Sequence, residues 1–434
     1  MRRLAAASLV FLAISLPVHA QQKIEFTIEG GKHDLKYVPV CVPLSVPKAA
    51  VAKERDRTLL TDIKRPEREQ LGQFTAPGIT TESIPPSGDR LVRRDLHFIL
   101  PELKAGEKRT FVCSFESELG AALRWKGDDK LVWTNRKESV PPIVLKYMHA
   151  PYDNSAPEQR NRTYKVFHHL YDPAGKAPVT NGGQTDAYTD EKKLLYPHHR
   201  GLMFAFNKIS YGEGLKQKAD TWHAMPGDTH QEHEKVLRQE EGTVLGRHRV
   251  LVRWHGPMNE IFVTEERELT VYNVPSGTLV EFAAKLKTAG GKVKLDGDPQ
   301  HAGFQFRAAN AVAEKTAKQT YYLRPDGKGE LGATRNWEPK KGGPVDLPWD
   351  AMSFVLGDKR YTVAYLNNPK NPKESRFSER DYGRFGCYFE SELTEDHPLV
   401  VNYRIWLQDG EMQGEQVEAL YRAFAEPPLV TIAK

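Results

Sequence analysis

The chain has 434 residues, with 62 Lys plus Arg against 57 Asp plus Glu and a formal charge of +5. Acids and bases are interspersed, which excludes the basic stripe that a nucleic-acid or polyanion binder needs. The length exceeds one ordinary domain, so two are expected, and 33 glycines and 29 prolines suit short strands separated by turns.

Arg2 and Arg3 precede an apolar run from Leu4 to Leu16, and Val18-His19-Ala20 follows with small residues at a cleavage position. This is the pattern of a secretory signal peptide over 1–20, cut after Ala20. The run is too short to span a bilayer, and no later segment reaches 18 uninterrupted apolar residues. The processed chain, at +3 once Arg2 and Arg3 are gone, is expected in the periplasm or secreted, without membrane insertion.

Residues 21–118 read as a small β domain with strands near 23–29, 35–42, 95–100 and 109–115, and an immunoglobulin-like sandwich is the expected form. Cys41 and Cys113 sit in two of these strands. An oxidising compartment admits a disulfide between them, and the alternative is two buried thiols packing as small hydrophobes. Cys387 is expected to be a free core residue.

Residues 119–434 run strand after strand with no βαβ alternation. The expected fold class is therefore all-β, with a large antiparallel β-supersandwich following the N-terminal sandwich. A single helix is expected at 412–424, where Val417, Leu420, Tyr421 and Phe424 keep helical spacing. In the strand over 260–271, Ile261, Val263, Leu269 and Val271 share one face. Phe262, Thr264, Glu266, Glu268 and Thr270 share the other, which suits either a solvated surface or the floor of a cleft.

The chemistry concentrates in histidine. Seven of the chain's 15 histidines fall between His168 and His233. Imidazole is the side chain suited to proton transfer near neutrality and to binding borderline metals. In Tyr196-Pro197-His198-His199-Arg200-Gly201 the two histidines would point to opposite faces of a strand, so a shared pocket requires a loop or bulge. One is then expected to enter the cleft and the other to brace it. The alternative is a buried strand end with two satisfied histidines. In Asp220-Thr221-Trp222-His223, Trp222 is either a stacking platform or plain core, and His223 a second polar contact.

His230-Gln231-Glu232-His233 has ligand-like spacing without the zincin pattern, so no metal ligand is assigned. If a divalent metal is the cofactor, His198, His199, His223 and His230 are its candidates, with carboxylate support behind the imidazoles. Further along, His301, Arg307 and Tyr382-Gly383-Arg384-Phe385 add polar groups. Arginines at 200, 307 and 384 either clamp a carboxylate or form structural ion pairs. A nucleophile elbow, a Walker loop, a dinucleotide fingerprint and a Cys-x-x-Cys pair are all missing from the sequence.

The segments Lys165-Val166-Phe167-His168-His169-Leu170-Tyr171-Asp172-Pro173, Tyr196–Leu202, Asp220-x-Trp222-His223, Gly303-Phe304-Gln305-Phe306-Arg307 and Arg380–Gly386 together resemble the bacterial PmoA-like family, over roughly residues 120–425. Its "methane oxygenase" label conflicts with the lack of spanning segments. The resemblance instead implies an exported β-sandwich protein of polysaccharide-degrading bacteria, similar in strand pattern to the galactose-mutarotase supersandwich. By fold analogy it implies acid–base chemistry from His198 or His199 partnered by Glu266. His169, Arg200, Trp222, His223, Arg307, Tyr382 and Arg384 would then hold an oligosaccharide or polysaccharide fragment. A non-catalytic glycan-binding module and a metal-dependent enzyme built on the histidine cluster are the alternative functions.

Overall fold

The computed structural model describes residues 23–48, 57–81, 90–116, 121–134, 138–182 and 195–433. The expected signal peptide lies outside them. The molecule is mostly β, and the strand pairings among the described residues are antiparallel.

The N-terminal body is one seven-stranded sheet. Its strands run in the order Leu35–Pro47, Leu91–Leu103, Arg65–Thr75, Arg57–Asp62, Lys108–Glu116, Ile24–Glu29 and Leu429–Ile432. Phe26 lies 6.0 Å from Phe98, although three strands separate theirs. A flat sheet would put them about 19 Å apart at its usual strand spacing. The sheet therefore folds over itself as a sandwich around Phe26, Val40, Leu60, Phe98 and Phe111.

Strand alternation also settles the cysteines. Val38, Val40, Val42 and Leu44 point into this core, so Cys41 points out of it, while Cys113 is inside, 3.0 Å from Thr58 Oγ1. All three cysteines are free, and the Cys41–Cys113 disulfide does not form. The last strand was not expected here. The chain end returns to pair with the first strand, Phe26 opposite Ile432, so the division at residue 118 leaves out one strand of the N-terminal body.

The larger body packs two nine-stranded sheets face to face. The first centres on Phe167–Leu170, Leu202–Phe206, Ala302–Arg307 and Arg384–Tyr388. The second runs from His230–Glu240 through Leu245–His255, Ile261–Tyr272, Thr278–Thr288, Leu399–Asp409 and Lys359–Asn367 to Trp349–Leu356 and beyond. Phe204, Phe282, Phe304, Tyr365 and Tyr403 fill the space between them, with the Phe282 and Phe304 rings stacked at 4.2 Å.

Alternation assigns the faces. In Leu202–Phe206 the even residues enter this core, and Met203 and Ala205 sit on the outer face under Trp222. From Val263 to Val271 the odd residues enter the core, and these include Glu265 and Arg267 as well as Val263 and Leu269; ahead of this stretch Phe262, expected on the polar face, is in the core and Ile261 is only half-buried. Glu266 and Glu268 thus point out of the far side of the second sheet.

Two α-helices accompany the strands among the described residues. The expected one spans Gly414–Ala425, opened by a capping box of Gln413 and Gln416, with Val417 and Phe424 buried. The other, Pro157–Thr163, begins with proline at its first turn and was not expected.

His168 and His248 are buried in the core near Tyr147, and neither ring nitrogen of either has a hydrogen-bond partner among the described residues. Burial first, and then neighbouring charge, holds both below the ordinary imidazole range. His248 is pushed down to about 3, and the neighbours that act by charge are His248, Arg267, His149 and His169 for His168, and His233 and His149 for His248. The unfolded chain binds protons at these sites below about pH 6.5 and the native state does not. Their contribution is therefore present above pH 6.5 and declines as pH falls toward 3. Urea midpoints measured from pH 7 to pH 4 should fall, and the double variant His168→Phe, His248→Phe should show a shallower decline. An unchanged slope would contradict this.

Candidate metal centre

The outer face of the first sheet carries the site. The segment 195–201 is a loop rather than a strand, which lets His198 and His199 lie on one side with rings 4.3 Å apart. Gly201 ends it at a φ of 42°, where a Cβ would collide with the carbonyl oxygen of His168, so the close return onto the sheet requires glycine. Lys165 sits beneath. Its ammonium donates to the carbonyl oxygens of His198, at 3.0 Å, and Trp222, and so fastens the 195–201 loop to the turn carrying His223. Burial, and then the charge of Arg200, lowers the Lys165 pKa well below its usual value.

Three half-exposed histidines converge there. The ring centroids of His198 and His223 are 4.9 Å apart, those of His223 and His301 4.7 Å, and those of His198 and His301 5.5 Å, each pair tilted by about 50°. One ring nitrogen from each lies within 4.8 Å of the others. An imidazole centroid sits about 3.2 Å from a zinc ion bound at about 2.1 Å, so tetrahedral ligands place their centroids about 5.2 Å apart. The observed spacings bracket that value.

The ring orientations are set from behind. His223 Nδ1–H donates to Asp220 Oδ2 at 2.8 Å, and His301 Nδ1–H to Asp298 at 2.9 and 3.1 Å. A carboxylate only accepts, so each Nδ1 carries a proton, and Nε2 is the nitrogen left to offer a lone pair in the neutral ring. Asp220 also accepts from the His223 backbone N–H at 2.8 Å, and Asp298 from the N–H of Gln300 at 2.9 Å and the Asn207 amide at 2.5 Å. Burial raises the Asp298 pKa, but the hydrogen bond and charge of His301 outweigh it, so its carboxyl sits well below the usual range. His198 is pushed down to about 2 by burial and then by Lys165, His223 and His301. His198 is thereby held as a neutral imidazole with a lone pair free.

His301 escaped the sequence reading as a site residue. Its signal was the repeat of one spacing, since Asp220-Thr221-Trp222-His223 and Asp298-Pro299-Gln300-His301 are both Asp-x-x-His.

The other expected site residues fall into place around or away from this cluster. His199 is buried edge-on against Trp222 at 5.4 Å and supports the loop from beneath. Trp222 is fully buried, so it is core and not a stacking platform. His169 is saturated, Nε2–H donating to Gly182 O at 2.7 Å and Nδ1 facing Thr180 Oγ1 at 3.0 Å. Arg200 spends its donors on the carbonyls of Pro197, Arg162 and Asn161.

Arg307 donates to the carbonyls of Ala308 at 3.0 Å and Tyr382 at 2.5 Å, and Arg384 to Pro299 O, Gln305 Oε1 and Ser378 Oγ. These three arginines are buried supports of the loops and do not clamp substrate. Tyr382 stays beside the site, half-buried and stacked on exposed Tyr196 at 4.4 Å.

Glu266 is not a partner of either histidine. It points away from the sandwich core, pairs with Arg249, and has both sheets between itself and His198. His230 joins a different group with Glu232 and His255. There the two imidazoles stack parallel, at 4.2 Å and 10°, so their lone pairs run side by side rather than converging on an ion.

No helix among the described residues is long and apolar enough to cross a membrane. No curated protein matches the chain. Among solved structures, a protein in the glycosyl hydrolase family 38 from Enterococcus faecalis is similar at 8% identity and a TM-score of 0.43, over 95% of this chain and 47% of its own. An alpha-mannosidase from Enterococcus faecalis V583 is similar at 7% identity and a TM-score of 0.42, over 95% and 46%. The chain thus spans about half the length of these structures. A family model matches residues 142–422, which include all three converging histidines and both aspartates behind them: the chain belongs to DUF6807, a family of unknown function.

Proposed function

We propose that this protein is a metal-dependent enzyme that holds one divalent transition ion, with zinc the best match, at His198, His223 and His301. The observation that carries this is the pair of Asp-x-x-His turns, which aim the Nε2 lone pairs of His223 and His301 at the space beside His198. Three protein nitrogens with a solvent-accessible fourth position are the donor set of catalytic rather than structural zinc sites. A bound ion supplies Lewis acidity and a water of lowered pKa. The chain's own contribution is placement: the aspartates fix the ring tautomers, Lys165 holds the two loops in register, and Tyr196 with Tyr382 flanks the opening.

Carbohydrate, the substrate class implied by the sequence resemblance, is the class to assay first, on neutral and uronic oligosaccharides. Acid–base catalysis by a His198–Glu266 pair is not part of the proposal, because the two residues lie on opposite sides of the sandwich. Protein purified without tag or chelator should carry close to one equivalent of metal by plasma mass spectrometry. Stripped protein should take up one equivalent of Zn2+ in calorimetry, and His301→Ala should lose this uptake. Stripped wild-type protein that gives no saturable uptake of Zn2+, Mn2+, Co2+ or Cu2+ would refute the metal centre.

A further inference from the structure

Between the N-terminal body and the outward face of the second sheet lies a cavity of about 460 Å³. Pockets of roughly 300–1,000 Å³ hold small organic ligands. Its chemistry is unusual for a domain seam. Asp95 and His97 are two residues apart on Leu91–Leu103, so both face the cavity, and Cys41 is the cross-strand partner of His97. Both Asp95 and His97 are buried.

One oxygen of Asp95 is occupied, accepting from Gly78 N–H at 3.2 Å and from the Thr81 hydroxyl. The other, Oδ1, faces the buried Arg93 guanidinium at 4.0 Å but accepts no hydrogen bond among the described residues, and His97 Nδ1 likewise has no hydrogen-bond partner there. A buried polar atom left without a partner costs about 1–3 kcal/mol, so two such atoms on one wall call for a polar occupant.

The tautomer of His97 specifies that occupant. Arg247 approaches His97 Nε2 at 3.4 Å, and a guanidinium can only donate. Nε2 therefore accepts, and Nδ1 carries a proton. The wall thus offers one donor, His97 Nδ1–H, beside one acceptor, Asp95 Oδ1. A hydroxyl group answers both at once, accepting from the imidazole and donating to the carboxylate.

A metal ion fits poorly, although Cys41, Asp95 and His97 have ligand atoms within 4.8 Å of one another. Coordination at Nδ1 would place the proton on Nε2 against the Arg247 guanidinium. Burial, and then the charges of Arg247 and Arg404, also pushes the His97 pKa well below its usual value. The formal charges on the cavity wall balance, with Arg247, Arg404 and Lys370 against Asp95, Glu268 and Glu281. A neutral ligand is favoured over an anion or a cation.

The geometry points to a second site, separate from the histidine cluster, that binds an uncharged polyhydroxylated ligand of mono- or disaccharide size. It lies across both large sheets from His198 and does not depend on a metal.

The test uses the full chain. Val400 is 40% exposed at the cavity rim, so Val400→Trp narrows the entrance without disturbing the core. Glucose, galactose, mannose, xylose and their β-1,4-linked dimers are titrated by calorimetry and thermal shift, with glucuronate and inorganic phosphate as charged probes, with and without Zn2+. At least one neutral sugar should bind stoichiometrically and raise Tm by several degrees, unaffected by Zn2+. Val400→Trp should weaken that binding at least tenfold while keeping the wild-type Tm of the free protein. Absence of neutral-sugar binding at millimolar concentration, binding of the charged probes in their place, or unchanged affinity in Val400→Trp each overturns the proposal. Zn2+ uptake reports on the histidine centre independently, so the two readings fail separately.

Discussion

Arg267→Ala is expected to lower the free energy of unfolding by about 3–5 kcal/mol, the cost of stripping one partner from a buried ion pair. Arg267 and Glu265 are both fully buried between the two large sheets. Their contact is bidentate, Nε to Oε1 at 2.6 Å and a terminal nitrogen to Oε2 at 2.9 Å. The guanidinium also donates to the carbonyl of Val166 at 3.2 Å, tying the second sheet to the chain leading into the first, and Trp254 Nε1–H donates to Glu265 at 2.8 Å.

Alanine at 267 leaves a desolvated carboxylate facing its core with only the indole, and leaves the Val166 carbonyl without this donor. Glu265→Ala should be comparably harmful for the mirror reason. The paired change Glu265→Leu, Arg267→Met removes both charges and should recover much of the loss. Arg253 and Glu234 provide the control: they also form a tight pair, at 2.5 Å, but both are partly exposed. Truncating Arg253 should cost under about 1 kcal/mol. Urea unfolding of the four variants checks the set, and single core variants within 1 kcal/mol of wild type would contradict it.

That ion pair marks a limit of what the sequence reveals. The strand over 260–271 was legible from its alternation, as were Leu245–His255, Thr278–Thr288 and the C-terminal helix. Alternation says that a strand has two faces. It does not say which face meets which sheet, and so Glu266 read as the acid of a cleft when the buried pair is Glu265 with Arg267, one residue out of phase.

The arginines were misread for a related reason. Arg200, Arg307 and Arg384 each satisfy backbone carbonyls of loops that exist only once the chain has folded, and a carbonyl has no letter in a sequence. The pairing of Ile24–Glu29 with Leu429–Ile432 joins the two ends of the chain and has no local signature at all. The histidine density did point to a site. It did not separate His198 and His223, which converge, from His169, His199 and His230, which do not. The Asp-x-x-His repeat carries that distinction, because it names the histidines whose Nδ1 is already committed.

The same repeat yields the sharpest expectation for the centre. Asp220→Ala and Asp298→Ala should each reduce Zn2+ affinity by about 10–100-fold, the usual effect of losing the group behind a metal-binding imidazole. Neither aspartate needs to touch the ion for this. Without the carboxylate the ring can turn, and the proton is no longer confined to Nδ1, so part of the population presents N–H rather than a lone pair to the site.

Asn at either position retains an acceptor oxygen but not the charge, and should fall between alanine and wild type. Lys165→Met should resemble the alanine variants. It removes the ammonium that joins the carbonyls of His198 and Trp222, so His198 and His223 lose their common anchor while every ligand atom remains. His199→Ala removes a ring adjacent in sequence but outside the converging trio, and should change affinity less than either aspartate variant. Competition against a chromophoric zinc chelator ranks all of them on one scale. The assignment fails if His199→Ala is the most damaging, or if Asp220→Ala and Asp298→Ala both bind as wild type, because the two turns would then not be what orients the imidazoles.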